Sequence, residues 1–150
     1  MGYFLSISEP VHIEDMKWCK MRFEPRMQED ESNRIKQYGL LLHISPTGNT
    51  ESIMKNGIIP NSKNKYYKYP NRVYLFKSDI QYRFLKRFGR GLARANGLPD
   101  STAYTVFEVD TEKLPDDIKF YIDPNLDEGV YTEHTIPPEA IISHYNIYFE

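Results

Sequence analysis

This 150-residue sequence has a single cysteine, Cys19. A lone thiol excludes an intrachain disulfide and a multi-cysteine zinc cage. No histidine stands at a spacing that reads as a dyad with it, so beside Trp18 it reads as packing rather than as a nucleophile. His134 and His144 lack partners at metal-ligand spacing, and Asp116, Asp117, Asp123 and Asp127 do not follow a calcium-loop pattern, so no metal site is expected. Long apolar runs are missing too: none approaches the ~18 residues that a membrane span needs. The first ten residues have no basic segment ahead of an apolar one, which argues against a secretion signal. The expected setting is soluble and cytoplasmic, with no membrane partner. Repeats and low-complexity tracts are also lacking.

What is present is ordinary globular material, 40% hydrophobic and 27% charged, enough for a packed core. A chain of this length buries ~68–70% of its unfolded surface without staples. We therefore expect one domain over residues 1–150, with a helical extension over 1–37 and a core over 40–145. The net charge of −2 conceals strong segregation. Between Lys63 and Arg94 stand ten bases against one acid, Asp79, a net +9; the remainder holds nine bases and twenty acids, a net −11. Such a segment attracts anions whatever the overall charge. Tyr66, Tyr67, Tyr69, Tyr74, Tyr82, Phe84 and Phe88 interleave with the bases, a composition that suits nucleic acid, although tyrosine is abundant along the whole chain. A solvated helix face is the competing reading.

Patterning gives the elements. Val11–Met21 and Glu29–Gln37 read as short helices punctuated by Pro10 and Pro25. Leu40–Ile44 is a buried strand. Thr50 is placed to cap a helix over Glu51–Asn56 with Ile53 and Met54 inward, and Gly57 ends it. Residues 60–71 form a loop, and Arg72–Phe76 a strand. Ser78 is placed to cap a helix over 79–95 carrying Ile80, Phe84, Phe88 and Leu92 on one face, with Gly89 and Gly91 as points where it breaks. Strands follow over Thr102–Val109, Ile118–Ile122, Val130–Thr132 and Ile141–Phe149. Strands outnumber helices and are linked by irregular loops, so the class is α+β.

Four pieces occur in a telling order: Leu42-His43-Ile44-Ser45, the helix ending in Gly57-Ile58, Val73-Tyr74-Leu75, and Glu128-Gly129-Val130-Tyr131-Thr132 leading into Ile136-Pro137-Pro138-Glu139. This order resembles the ADP-ribosyltransferase superfamily, in particular its His-Tyr-Glu branch, over roughly residues 40–145. Gly129-Val130-Tyr131-Thr132 is also similar to a motif of the RNA 2′-phosphotransferases. The resemblance implies a split β-sheet core with short flanking helices, and NAD as co-substrate. It implies that His43, supported by Ser45, holds the adenosine ribose, and that Tyr74 stacks on the nicotinamide. A late-strand carboxylate holds the 2′-hydroxyl of the nicotinamide ribose; that position falls near Gly129, leaving Glu128 and Glu133 as candidates, with Tyr131 on the face of Glu133. Glu128, Glu133 and Tyr131 are thus the candidate catalytic set.

Arg72 and Arg83 are the candidate pyrophosphate ligands, one bordering the Tyr74 strand and the other early in the next helix. Chemically, cleaving the nicotinamide–ribose bond builds positive charge on the sugar, which a preorganised carboxylate stabilises. A tyrosine face restrains the leaving pyridinium by ~0.5–2 kcal/mol. The expected function is transfer of ADP-ribose to a macromolecular acceptor, nucleic acid ahead of protein, with a toxin role implied only by small relatives of the fold. Two alternatives stand beside it: an NAD-dependent RNA 2′-phosphotransferase, and a non-catalytic module binding nucleic acid or protein. Phe76, where the family has a small hydroxylic residue, and the displaced glutamate favour the last.

Overall fold

The computed structural model describes residues 25–60, 71–99, 103–123 and 129–147. The expected helix over Val11–Met21, the Cys19–Trp18 neighbourhood, Glu128 and the bases Lys63, Lys65 and Lys68 lie outside the described residues. In chain order the elements are α1 (Pro25–Lys36), β1 (Leu40–Pro46), a 3₁₀ turn (Thr47–Asn49), α2 (Thr50–Asn56), β2 (Val73–Lys77) and α3 (Tyr82–Ala95), followed by β3 (Tyr104–Asp110), β4 (Phe120–Ile122), β5 (Gly129–Thr132) and β6 (Ile141–Ile147). The architecture is mixed α and β: six strands form one antiparallel sheet in the order β4-β5-β2-β1-β3-β6. Among the described residues, no helix is long and apolar enough to cross a membrane.

Each face of the sheet has its own core, because side chains alternate along a strand. On one face Leu41, Val73, Leu75, Phe107, Val109 and Val130 pack with Ile53, Ile58 and Ile136. On the other, Leu42, Ile44, Phe76, Val106 and Ile147 meet Leu85, Phe88 and Leu92 of α3, with the Phe76 and Phe88 rings edge to face at 4.9 Å. The α3 stripe differs from the expected one. The helix starts at Tyr82, after Ile80, and its buried positions are Leu85, Phe88, Gly89, Leu92 and Ala93, while Phe84 is exposed. Steps of four drift ~40° per step on a 3.6-residue helix, so Phe84 falls at the edge of the face. Neither glycine breaks the helix: Gly89 lies on the buried stripe, where packing outweighs a propensity cost of ~1 kcal/mol.

Two short connections fix the flanks. Gly57 ends α2 at φ 86°, and a Cβ there would stand 2.2 Å from the Ile136 carbonyl oxygen. Only glycine permits both the backbone conformation and that approach. Ile58 and Ile136 then exchange two backbone bonds of 2.9 Å, pinning α2 to the segment before β6. At the far edge, α1 covers β4: Ser32 Oγ accepts from the Phe120 N–H at 2.9 Å and Glu31 Oε2 from the Ile122 N–H at 3.1 Å. Side chains thereby satisfy edge donors that would otherwise recruit another strand.

The seam between β1 and β2 is sparse. β1 pairs with β3 along its whole length, from Leu40–Asp110 to Pro46–Tyr104, yet pairs with β2 only at Leu41–Lys77 and Leu42–Phe76. Beyond those two pairs the His43 side chain reaches across to the backbone of β2.

Candidate functional site

His43 Nδ1 lies 2.8 Å from the carbonyl oxygen of Tyr74. A carbonyl only accepts, so Nδ1 carries the proton and donates it. In the neutral ring Nε2 is then a bare acceptor. Burial pushes the imidazole below its ordinary value, and the bond to Tyr74 opposes this only in part, so the neutral tautomer is the form held at neutral pH. The ring packs against Phe107 with centroids 6.3 Å apart, and Phe107 in turn meets His144 at 5.7 Å.

Around this imidazole the sheet face changes from apolar to polar. Ser45, two residues along β1 and buried, accepts from Asn49 Nδ2 at 3.0 Å. Thr105, fully buried on β3, has its hydroxyl 2.8 Å from Asn146 Oδ1, 3.0 Å from Thr47 Oγ1 and 3.1 Å from Thr50 Oγ1. With one proton to give, Thr105 donates to the amide oxygen, which only accepts, and receives the two threonine hydroxyls on its lone pairs. Thr50 is therefore not a helix cap. It is the first residue of α2, following Asn49, and its hydroxyl ties the helix to the sheet. Met54 also departs from expectation, being exposed while Ile53 is buried.

The remaining candidates lie elsewhere. Leu42 is opposite Phe76, so Tyr74, two residues from Phe76, shares the α3 face, whereas His43 alternates to the other. The imidazole and the phenol do not share one cleft; what joins them is the backbone carbonyl of Tyr74. On its own face Tyr74 is opposite Tyr131 with ring centroids 6.2 Å apart, and Tyr131 meets Tyr121 at 5.2 Å. Arg72, expected to face a ligand, is 4% exposed, with its guanidinium 4.0 Å from the centre of the Tyr131 ring. Burial raises the Tyr74 phenol, while the Arg72 charge and hydrogen bond pull it down. Tyr131 is pushed up to about 12, by burial first, with Arg72 opposing and the charges of Glu133 and Asp123 adding to the rise. Both phenols are held un-ionised at neutral pH.

Glu133 is exposed just beyond β5, on the phenol side by its effect on Tyr131 and Tyr121. Arg83 is exposed on α3, with its guanidinium 5.2 Å from the Phe84 ring. The structure thus joins His43 with Ser45, and separately Tyr74 with Arg72, Tyr131 and Glu133. Phe107, Thr105 and Asn146 are not singled out by the sequence pattern. Their one signal was parity, since Thr105 and Phe107 share a face of the expected strand over Thr102–Val109, but parity names partners only once the strand register is known. Compared with known proteins, the chain matches no protein-family model and no curated protein.

Proposed function

We propose that this domain binds NAD at the polar end of β1 and transfers ADP-ribose to a macromolecular acceptor. The observation that carries the reading is the neutral His43 with its Nδ1 proton committed to Tyr74, which leaves Nε2 as an acceptor for a ribose hydroxyl. Ser45 and the hydroxyl and amide groups of Thr47, Asn49, Thr50 and Thr105 make the surroundings hydrogen-bonding, as a sugar-binding surface requires. The sparse β1–β2 seam is also what an ADP-ribosyltransferase-like split sheet calls for. NAD fits this end through a ribose, with His43 and Ser45 as the holding residues. NAD supplies a glycosidic carbon already joined to a pyridinium leaving group. The chain's own part is to orient the sugar and to present a carboxylate, with Glu128 ahead of Glu133, because Glu133 stands on the phenol side, away from His43.

A second reading, a non-catalytic binding module on the same sheet, is favoured by Tyr74. Its ring lies on the opposite face from His43, among Tyr131 and Arg72, where it offers no stacking platform to a sugar held at His43. Nicotinamide release from NAD, followed by chromatography with nucleic-acid and protein acceptors in turn, separates the two readings. Transfer predicts release by the wild type and at least ~100-fold less in whichever of Glu128→Gln and Glu133→Gln removes the acting carboxylate. Release absent under every acceptor rejects the transfer reading and favours the binding module.

A further inference from the structure

We infer that the outward face of α3 is a docking strip for single-stranded nucleic acid. The 14-residue helix carries five bases, Arg83, Lys86, Arg87, Arg90 and Arg94, and no acid. A helix that merely needs solvation interleaves both signs, because opposite charges three or four residues apart stabilise it; α3 instead accepts repeated like-charge neighbours. At 100° per residue the five bases fill one arc about 100° wide, away from Leu85, Phe88 and Leu92 and bordered by Ala93 on the Lys86 side. Arg83, Arg87 and Arg94 are exposed, Lys86 and Arg90 half-buried. From Arg83 to Arg94 the strip runs about 17 Å, room for about four phosphates of an extended strand.

Two aromatic rings border that arc. Tyr82 is 52% exposed and Phe84 is 41% exposed. The Arg83 and Arg87 guanidinium carbons stand 5.2 and 5.5 Å from the Phe84 ring centre, and Lys86 Nζ stands 5.6 Å from that of Tyr82. Cations that line a strand's phosphates are thereby set beside ring faces that unpaired bases stack on, and stacking of this kind tolerates any base. A duplex uses the charges but hides its base faces, and an acidic protein has no use for the rings in this register. The assignment does not depend on NAD binding.

The test is fluorescence anisotropy of the full chain with a labelled mixed-sequence 12-nucleotide single strand, with a duplex of the same length and anionic phosphatidylserine vesicles as competitors. Four phosphate contacts predict about 50-fold weaker binding at 200 mM than at 50 mM salt. The paired change Arg83→Gln with Arg87→Gln weakens binding at least about tenfold and flattens that salt dependence. Phe84→Ala weakens it about tenfold with the salt dependence unchanged. Lys55→Gln with Lys113→Gln, exposed on α2 and the turn after β3, leaves binding as it was. Thermal melts of each variant check that the fold persists, as expected for exposed positions. Equal affinity for duplex, displacement by vesicles but not by single strand, or unchanged binding in the α3 variants overturns the proposal.

Discussion

The two faces of the sheet bury polarity in contrasting ways. On the face of His43 the polar groups are neutral: a part-buried imidazole, the buried hydroxyls of Ser45 and Thr105, and the exposed amides of Asn49 and Asn146 that bond to them. On the face of Tyr74 the arrangement turns on charge, with a guanidinium at 4% exposure over one phenol and bonded to another, and the Asp123 carboxylate, also at 4% exposure, nearby. A neutral polar surface gives up its hydrogen bonds to a ligand at little cost, whereas a buried cation is expensive to disturb. On the proposed reading the first face serves recognition, and the second holds β2 and β5 together.

The contrast is broken most severely at Arg72. Arg72→Ala removes the charge from among two phenols and a buried carboxylate, and should cost about 3 kcal/mol, measured by urea unfolding. A cost below about 1 kcal/mol would show that the guanidinium is not structural and would return it to the list of ligand groups. Next comes Thr105→Val, which keeps the shape but strips three hydrogen bonds. It should cost about 1–2 kcal/mol and leave Thr47, Thr50 and Asn146 to find water. If stability were unchanged, that cluster would already be solvated.

The smallest effect is the pH dependence carried by His43. Its value is lowered by folding, so below the ordinary 6.5 the unfolded chain binds more protons than the native one. Stability should therefore be fully present above that pH and decline as pH falls through the window beneath it. His43→Asn keeps a donor, Nδ2, near the position of Nδ1 but cannot titrate. Its melting temperature should fall less than that of the wild type between pH 7 and pH 5. Parallel curves would mean that the imidazole protonates freely in the native state.

Much of this architecture was legible in the residues, and the misses have physical causes. The apolar run Leu40–Ile44, the β-prone Val73–Phe76 and the stop at Gly57 each rest on local chemistry, so they emerge as β1, β2 and the end of α2 with small shifts at the boundaries. Strand pairing is not local. Whether His43 and Tyr74 share a face depends on the register of β1 against β2, set by Leu42 opposite Phe76, and no residue pattern within either strand encodes it. Arg72 departs from expectation for a related reason: a base bordering a strand looks solvated until Tyr131, 59 residues away, packs its ring beneath the guanidinium. Thr50 looked like a cap because it stands at a helix start, but Thr105, 55 residues away, claims its hydroxyl.

Calorimetric titration of NAD into the wild type and His43→Asn tests the central claim most directly, with melts confirming that the variant stays folded. The variant preserves a donor to the Tyr74 carbonyl and removes the Nε2 acceptor together with the ring that packs on Phe107. The account predicts measurable heat and saturation with the wild type and binding weakened at least about tenfold in the variant. Identical isotherms, or no binding by the wild type, would contradict it.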